Sequence, residues 1–423
     1  MRTSMNTPVK TLHLGLIAIL TVLTSVATCA DFEFTFSDKQ TVGTGTQYFT
    51  GRCESPQCNV FVAEIDTTNP NIQIVPVTPK GVVRAVPTTM AKENNAIVVV
   101  NSSFFSIDTG VAYGYYRKDG VTIRKNDSTP YGVIGIPCRP QNVPIVANIT
   151  AQETAVRPTS KWKTESILDA VAGGPTLVVN NKIDISSEYT SIAGRNPRTA
   201  MGFNANTNKL YMAVIDGRAT NSVGMTFEEL ANFMKGLGCT EAVNYDGGGS
   251  SAMIVNNTLM NRPGGKTTQR SVPLCWAVVP CTVIDDTVTS SIRLEGDWQR
   301  IESNDLYAKS GVQASGNGTA KAVFETVLPM KASYKVYARW GSTKKASSKV
   351  PYAIDYFNDK TTVYKDQSLG KGEWQVLGTF MFSADTPARV TVTNEYANES
   401  EFVTVDAVKF ELLPPVATVD DED

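Results

Sequence analysis

GMTFEELANFMKGLGCTEAVNYDGGGSSAMIV, residues 224–255, is the stretch on which the fold turns. Its first half reads as a helix over 226–237. Thr226 and Glu229 form a capping box, Phe227, Leu230, Ala231, Met234 and Leu237 recur on one face, and Gly238 stops it. A stripe of that width faces a core and is not a cofactor box. Strands over 242–245 and 252–255 follow, parted by the segment DGGGSS. Asn244 and Asp246 thus stand at a strand end beside Gly247, Gly248 and Gly249. Glycines at such a place open backbone N–H groups to an anion and let a ligand approach closely, although the same run also reads as a bulge or tight turn. Ser250 and Ser251 occupy tempting positions for a nucleophile but have no histidine to activate them.

Upstream, residues 60–65 and 72–77 read as strands, 87–94 as a short helix, and the β-branched run 96–100 as a buried strand that delivers the chain into NSSFF at 101–105. Glu64 on the first of these strands is a reserve carboxylate, expected at a solvated edge. Short strands follow at 169–179, 198–203 and 210–215, with AGGPT, NPRTAMG and IDGR supplying the turn residues. Beyond 280–290 the pattern changes to strands without helices, at 333–340, 374–382 and 388–393, which marks a separate all-β domain. The expected architecture is an α+β domain over 31–283 with mixed, mainly antiparallel sheets, then an all-β domain over 290–413 and a disordered acidic tail at 414–423.

Residues 1–30 read as a secretory signal: Arg2 and Lys10 precede an apolar run over 12–26, with small residues around a cut after Ala30. Cys29, after Val26, Ala27 and Thr28, makes a poorer lipoprotein signal, so the expected location is secreted or periplasmic. No later segment is long and apolar enough to span a bilayer. His13, the chain's one histidine, lies in that leader, which excludes Ser-His-Asp, Cys-His and His-ligated zinc chemistry from the mature chain. The net charge is −2 with no long basic run, so nucleic acid is not an expected partner. Neither a metal nor a cofactor is called for. In an exported chain the six remaining cysteines, Cys53, Cys58, Cys138, Cys239, Cys275 and Cys281, are expected in disulfides. One pairing among the possible connectivities is 53–58, 275–281 and 138–239.

The order of these motifs resembles the phosphodiester glycosidase family. NSSFF stands where that family has an NGGFF-like motif, and Gly173, Gly174 and Pro175 match its GGP. Pro197 to Gly202 match PRTAIG, Asp216 to Arg218 match DGR, GMTFEELA matches GMTLxELA, and VNYDGGGSSAM matches LNLDGGGSSTM, followed by Asn261, Pro263 and Arg270. The two serines replacing glycines in NSSFF either narrow the pocket or add hydroxyl donors.

What the resemblance implies is hydrolysis of a sugar 1-phosphodiester, N-acetylglucosamine-like, to free sugar and a phosphomonoester. A departing phosphate is a stable anion, so the reaction needs little general acid and suits a histidine-free site. Arg198, Arg218 and the N–H groups around Gly173, Gly174 and residues 247–250 would hold the phosphate. Asp246 or Asp216 would serve as base toward water or as nucleophile, with the roles open between them. Asn101 and Asn244 would hold sugar hydroxyls. Each aspartate also reads as a turn-former or arginine partner.

The second region resembles the golvesin C-terminal domain, through VYKDQSLGKGEWQVLGTFMF at 363–382 and VTVDAVKFE at 403–411. That resemblance implies a jelly-roll-like, glycan-binding β-sandwich in which Trp298, Trp340 and Trp374 stack on sugars, although tryptophans in sandwiches are more often core. Two competing classes remain: a non-catalytic polysaccharide-binding surface or matrix protein, and a metal-dependent phosphodiesterase cutting P–O. The scattered carboxylates and missing histidines weigh against the latter.

Overall fold

The computed structural model describes residues 27–29, 32–126, 131–137, 144–149, 152, 155–157, 162–164, 167–287, 289–316 and 318–413. Most of the expected leader, Cys138 and the acidic tail lie outside the described residues.

Strand dominates. Among the described residues there are two α-helices, Pro87–Glu93 and Phe227–Gly236, and every pair of named strands is antiparallel. The expected α+β domain with mixed sheets is therefore a mainly β domain with antiparallel sheets. The apolar runs are too short for helices and too rich in β-branched residues to be anything but strand.

The largest sheet runs Phe32–Phe36, Thr46–Glu54, Gln57–Asp66, Lys209–Ile215, Arg198–Asn204, Glu241–Tyr245, Thr176–Val179, with short strands at its edges. Helix Phe227–Gly236 lies on one face, where Phe227, Leu230, Ala231, Phe233 and Met234 enter a core with Leu177, Ala200 and Ala213. Thr226 caps it: its hydroxyl accepts from the Glu229 amide at 3.1 Å, and the Glu229 carboxylate accepts from the Thr226 amide at 2.8 Å. The opposite face packs Ile65, Met201, Met212 and Val243 against Val98, Val100, Ile134 and Trp276 of two further sheets.

Residues 60–65 and 72–77 look like consecutive partners in the sequence, yet they enter different sheets. Gln57–Asp66 pairs with Lys209–Ile215, and Ile72–Val77 pairs with Cys275–Asp285. Glu64 is accordingly not on a solvated edge. It sits in a central strand, 7% exposed, and takes the Lys39 ammonium at 2.6 Å.

Cys275–Asp285 belongs to both domains. Its first half pairs with Ile72–Val77 and Val98–Asn101; its second half, from Cys281, pairs with Ala407–Leu412. The strand thus runs from one domain into the other at the place where the sequence pattern changes. Beyond it the second domain is all-β. Ala407–Leu412, Ala332–Arg339 and Gln375–Phe382 extend the shared sheet, and a five-stranded and a three-stranded sheet complete the domain. Trp340 is core, 1% exposed, with its N–H on the Leu369 carbonyl. Trp298 bonds the Glu295 carbonyl, and Trp374 lies edge-on to Tyr307 beneath Lys409.

Among the described residues there is no disulfide. Cys53 and Cys58 face each other as cross-strand partners and are thiols. Cys275 and Cys281 cannot be joined. They are six positions apart on one extended strand, about 20 Å at a strand's rise per residue, far beyond disulfide reach. Cys239 is a fully buried thiol.

Candidate active site

Strand register gathers the site. Arg198 opens its strand opposite Ile215, which ends its own, and Thr199 pairs with Tyr245, so Arg198, Asp216 and Asp246 all leave the sheet at one edge. The Asp246 amide then donates to the Ser102 carbonyl at 2.9 Å, which brings the end of Val98–Asn101 to the same edge.

Asp246 opens the glycine loop. Burial pushes its carboxyl up to about 6, against the pull of the Ser250 hydroxyl, the Arg270 guanidinium and the Gly247 amide. Ser250 accepts from Arg270 Nη1 at 3.2 Å while its own hydroxyl bonds the Asp246 carboxyl. The serine is a relay between cation and carboxylate, so its proton is committed.

Two guanidinium groups lie directly on adjacent glycines. A Cβ on Gly248 would stand 3.1 Å from Arg218 Nη1, and one on Gly249 would stand 2.8 Å from Arg270 Nη2. A side chain at either position would push its guanidinium aside, and Gly248 also has a left-handed φ of +63 that favours glycine. Arg218 itself adopts φ +58, a cost of about 1 kcal/mol for a side chain with a Cβ. Asn196 Oδ1 holds its Nη2 at 2.8 Å. Such local strain gathers where a side chain has to be aimed.

Asp216 is 4% exposed, and burial raises its carboxyl against the bonds it accepts. Its Oδ1 accepts from the Arg262 amide at 2.9 Å and from Asn261 Nδ2 at 3.1 Å, and Oδ2 makes no bond to a described residue. Asn261 in turn donates to the Ser251 carbonyl, tying Asp216 to the glycine loop.

The expected phosphate-holder Arg198 is largely spent inside the fold. Nε donates to the Met225 carbonyl at 2.8 Å, and Nη2 donates to the Ile192, Ala193 and Gly194 carbonyls. The guanidinium stacks 4.0 Å from the Phe227 ring centroid. Burial and the neighbouring Arg218 push it down to about 10. Nη1 alone makes no bond to a described residue.

Both asparagines are braces. Asn101 Oδ1 accepts from Thr199 Oγ1 at 2.7 Å and the Ala252 amide at 3.0 Å, and its Nδ2 donates to the Asp246 carbonyl at 2.7 Å. Asn244 donates to the Gly174 and Tyr245 carbonyls, while its Oδ1 is enclosed with no partner among the described residues. Gly173 and Gly174 are demanded by close approach: a Cβ would run into the Asn244 carbonyl oxygen at one and the Tyr189 hydroxyl at the other. The Ser102, Ser103 and Ser251 hydroxyls are also enclosed and unpartnered among the described residues. Phe104 of NSSFF stacks on Tyr189 at 5.9 Å, giving the site an aromatic wall.

Arg270 and Tyr189 escaped selection from the sequence. Arg270 was visible only as the last residue of an ordered motif series, and nothing near Tyr189 in the chain points to a site.

Comparison with known proteins gives the same order of parts. Residues 94–279 match the family model described as phosphodiester glycosidase, and residues 282–412 match the golvesin C-terminal domain. The chain is 27% identical over 136 residues to a xanthan lyase of Bacillus sp. (strain GL1), covering 31% of this chain and 15% of that protein. It is 24% identical over 176 residues to the mouse N-acetylglucosamine-1-phosphodiester alpha-N-acetylglucosaminidase, covering 39% of this chain and 33% of that one. It therefore spans a third or less of either relative. Among solved structures, the zebrafish N-acetylglucosamine-1-phosphodiester alpha-N-acetylglucosaminidase catalytic domain, auto-inhibited by its pro-peptide, aligns with a TM-score of 0.44 at 18% identity. That alignment covers 60% of this chain and 86% of that one. No helix among the described residues is long and apolar enough to cross a membrane.

Proposed function

Starting from a phosphodiester glycosidase domain at residues 94–279 joined to a golvesin C-terminal domain at 282–412, we propose that this protein hydrolyses the glycosidic C–O bond of a sugar 1-phosphodiester. The observation that carries the reading is the pair of guanidinium groups seated on Gly248 and Gly249, with Asp246 linked to one of them through Ser250.

Arg218 and Arg270 hold the phosphate. Both are exposed at the loop, and a guanidinium matches phosphate oxygens in a bidentate way. Arg198 acts behind them, shaping the loop and offering its remaining Nη1. The Asp246 carboxylate activates water toward the anomeric carbon or attacks that carbon itself. The C1–O bond breaks, its electrons stay on the phosphate oxygen, and the phosphomonoester leaves stabilised by the two cations. Asp216 positions the 261–262 turn beside the glycine loop. The Phe104–Tyr189 wall and the Ser102 and Ser103 hydroxyls form the sugar side, for an N-acetylglucosamine-like ring. Export to a secreted or periplasmic setting fits a polymer-linked or surface-linked substrate.

The test is incubation with N-acetylglucosamine 1-phosphate methyl diester in ¹⁸O-water. The expected products are free sugar carrying the label and unlabelled methyl phosphate, with loss of turnover in Asp246→Asn. Label in phosphate would mean P–O cleavage and sink the reading. Tight binding of glycan without turnover would instead favour a non-catalytic polysaccharide-binding protein.

A further inference from the structure

Two exposed cations beside the phosphate clamp have no task in the hydrolysis of a simple diester. Arg262 and Lys266 flank the turn Pro263–Gly265 and are exposed, as Arg218 and Arg270 are. Neither side chain makes an ion pair or hydrogen bond to a described residue. Burial raises the Asp216 carboxyl and the Arg262 charge pulls against it through space, but the bond between the two residues comes from the Arg262 amide. A single exposed lysine is ordinary solvated surface. Two unmatched cations on the loop that carries Arg270 form a patch that favours an anion.

The turn is fitted to the site and does not hang from it. Gly264 and Gly265 have φ of +58 and +80. A Cβ on Gly264 would stand 3.1 Å from Gly249 Cα, and one on Gly265 would stand 2.8 Å from the Arg218 carbonyl oxygen. Glycine adopts such backbone without strain, so the turn closes tightly on both phosphate-binding segments. Its flanks are fixed as well. The Arg262 amide donates to Asp216 Oδ1 at 2.9 Å, and Gln269 Oε1 accepts from the Thr88 amide at 3.0 Å. Arg262, Lys266 and Arg270 therefore leave one anchored loop on the phosphate side. The sugar side is built elsewhere, from Phe104 stacked on Tyr189, whose hydroxyl donates to the Gly173 carbonyl.

A diester carries one negative charge, which Arg218 and Arg270 match, and its ring lies against the aromatic wall. A second anion for Arg262 and Lys266 then has to belong to the alcohol. We propose that the substrates are sugar 1-phosphodiesters whose alcohol carries a further phosphate, as where phosphodiesters repeat along a polymer, and that Arg262 and Lys266 bind this second group. This rests on the glycosidase reading and names the leaving group that reading leaves open. Exposed ion pairs are individually weak and screened by salt, so the preference is modest and falls with ionic strength.

The experiment compares the N-acetylglucosamine 1-phosphate diesters of glycerol and of glycerol 3-phosphate on the full chain and on the double variant Arg262→Gln, Lys266→Gln. Lys344→Gln, Lys345→Gln removes the same charge from exposed positions of the second domain and is the control. The wild type and the control are expected to favour the phosphorylated alcohol by about tenfold in kcat/KM at low ionic strength, and the double variant to bring the ratio within about twofold. A ratio cancels any general loss of activity. Lys266→Gln alone leaves the Arg262 turn intact and is expected to lower the ratio about threefold, which keeps the test open if the double variant does not fold. Equal handling of the two diesters by the wild type, a preference indifferent to salt, one that survives in the variants, or one lost equally in the control overturns the proposal. If neither diester is cleaved the glycosidase reading fails, and binding decides the patch separately. Glycerol 1,3-bisphosphate binding about tenfold tighter than glycerol 3-phosphate at low salt, with the advantage lost in the double variant and kept in the control, sustains a second anion site. Equal binding refutes it.

Discussion

Asp246 carries a charge conflict that its neighbours only partly resolve. Burial raises its carboxyl to about 6, and the Ser250 hydroxyl and Arg270 oppose that rise. The carboxylate is the form that acts as base or nucleophile, so kcat/KM is expected to rise with pH through an acid limb near 6. Removing Arg270 takes away a charge that favours the ionised form. Arg270→Gln is therefore predicted to move the limb to higher pH and to lower kcat/KM by about 10²-fold. A limb near the ordinary carboxylate value, unmoved by Arg270→Gln, would contradict the assignment. At this scale the sequence pointed to Asp246, Arg218 and Arg198 alike, and could not show that the Arg198 fork is largely occupied inside the fold. An arginine in NPRTAMG reads the same whether its fork points at a phosphate or at the carbonyls of Ile192, Gly194 and Met225.

Helix Phe227–Gly236 shows how an element supports the site from outside it. Its capping residue Thr226 follows Met225, whose carbonyl takes Arg198 Nε, and its first residue Phe227 carries the stacked guanidinium. Glu229, 6% exposed, completes the box and ion-pairs Arg195 at 2.5 Å. Thr226→Ala is predicted to lower the unfolding free energy by about 1 kcal/mol, read from denaturant midpoints at unchanged slope. A change within the error of the wild type would mean that tertiary packing alone holds the helix start. This helix was legible because cap, stripe and stop agree in one short window. Several strands were legible as apolar runs, while Phe32–Phe36, Thr46–Glu54 and Tyr131–Pro137 were not, and no strand's partner was, since residues 60–65 and 72–77 share a pattern and go to separate sheets.

Across the molecule the two domains share the strand Cys275–Asp285 and the cluster of Leu168, Cys281, Val283, Tyr307 and Ala407. Asn95 Nδ2 also donates to the Leu412 carbonyl at 3.1 Å, and Thr282 Oγ1 to Asn71 Oδ1 at 2.9 Å. Separating the domains would strip a central strand of half its ladder and expose that cluster. Thermal unfolding of the full chain is accordingly expected as one cooperative transition by calorimetry, with calorimetric and van't Hoff enthalpies in agreement. Two resolved transitions would show that the shared strand does not couple them.

Read alone, the amino-acid order settled some local matters: several of the strands, where the capped helix begins and ends, that Asp246 sits at a strand end beside three glycines, and which two families the halves resemble. These follow from periodicity and from residues with strong backbone preferences, both of which act over a few neighbours. Only the tertiary structure decided that Arg270 lies on Gly249, that Arg198 is spent on carbonyls and Asn101 on a carbonyl, an amide and a hydroxyl, that Cys275 and Cys281 cannot meet, and that one strand serves both domains. Those facts depend on sheet register between residues far apart in the chain, and a hydrophobic pattern with a period of two states which face is buried without stating against what.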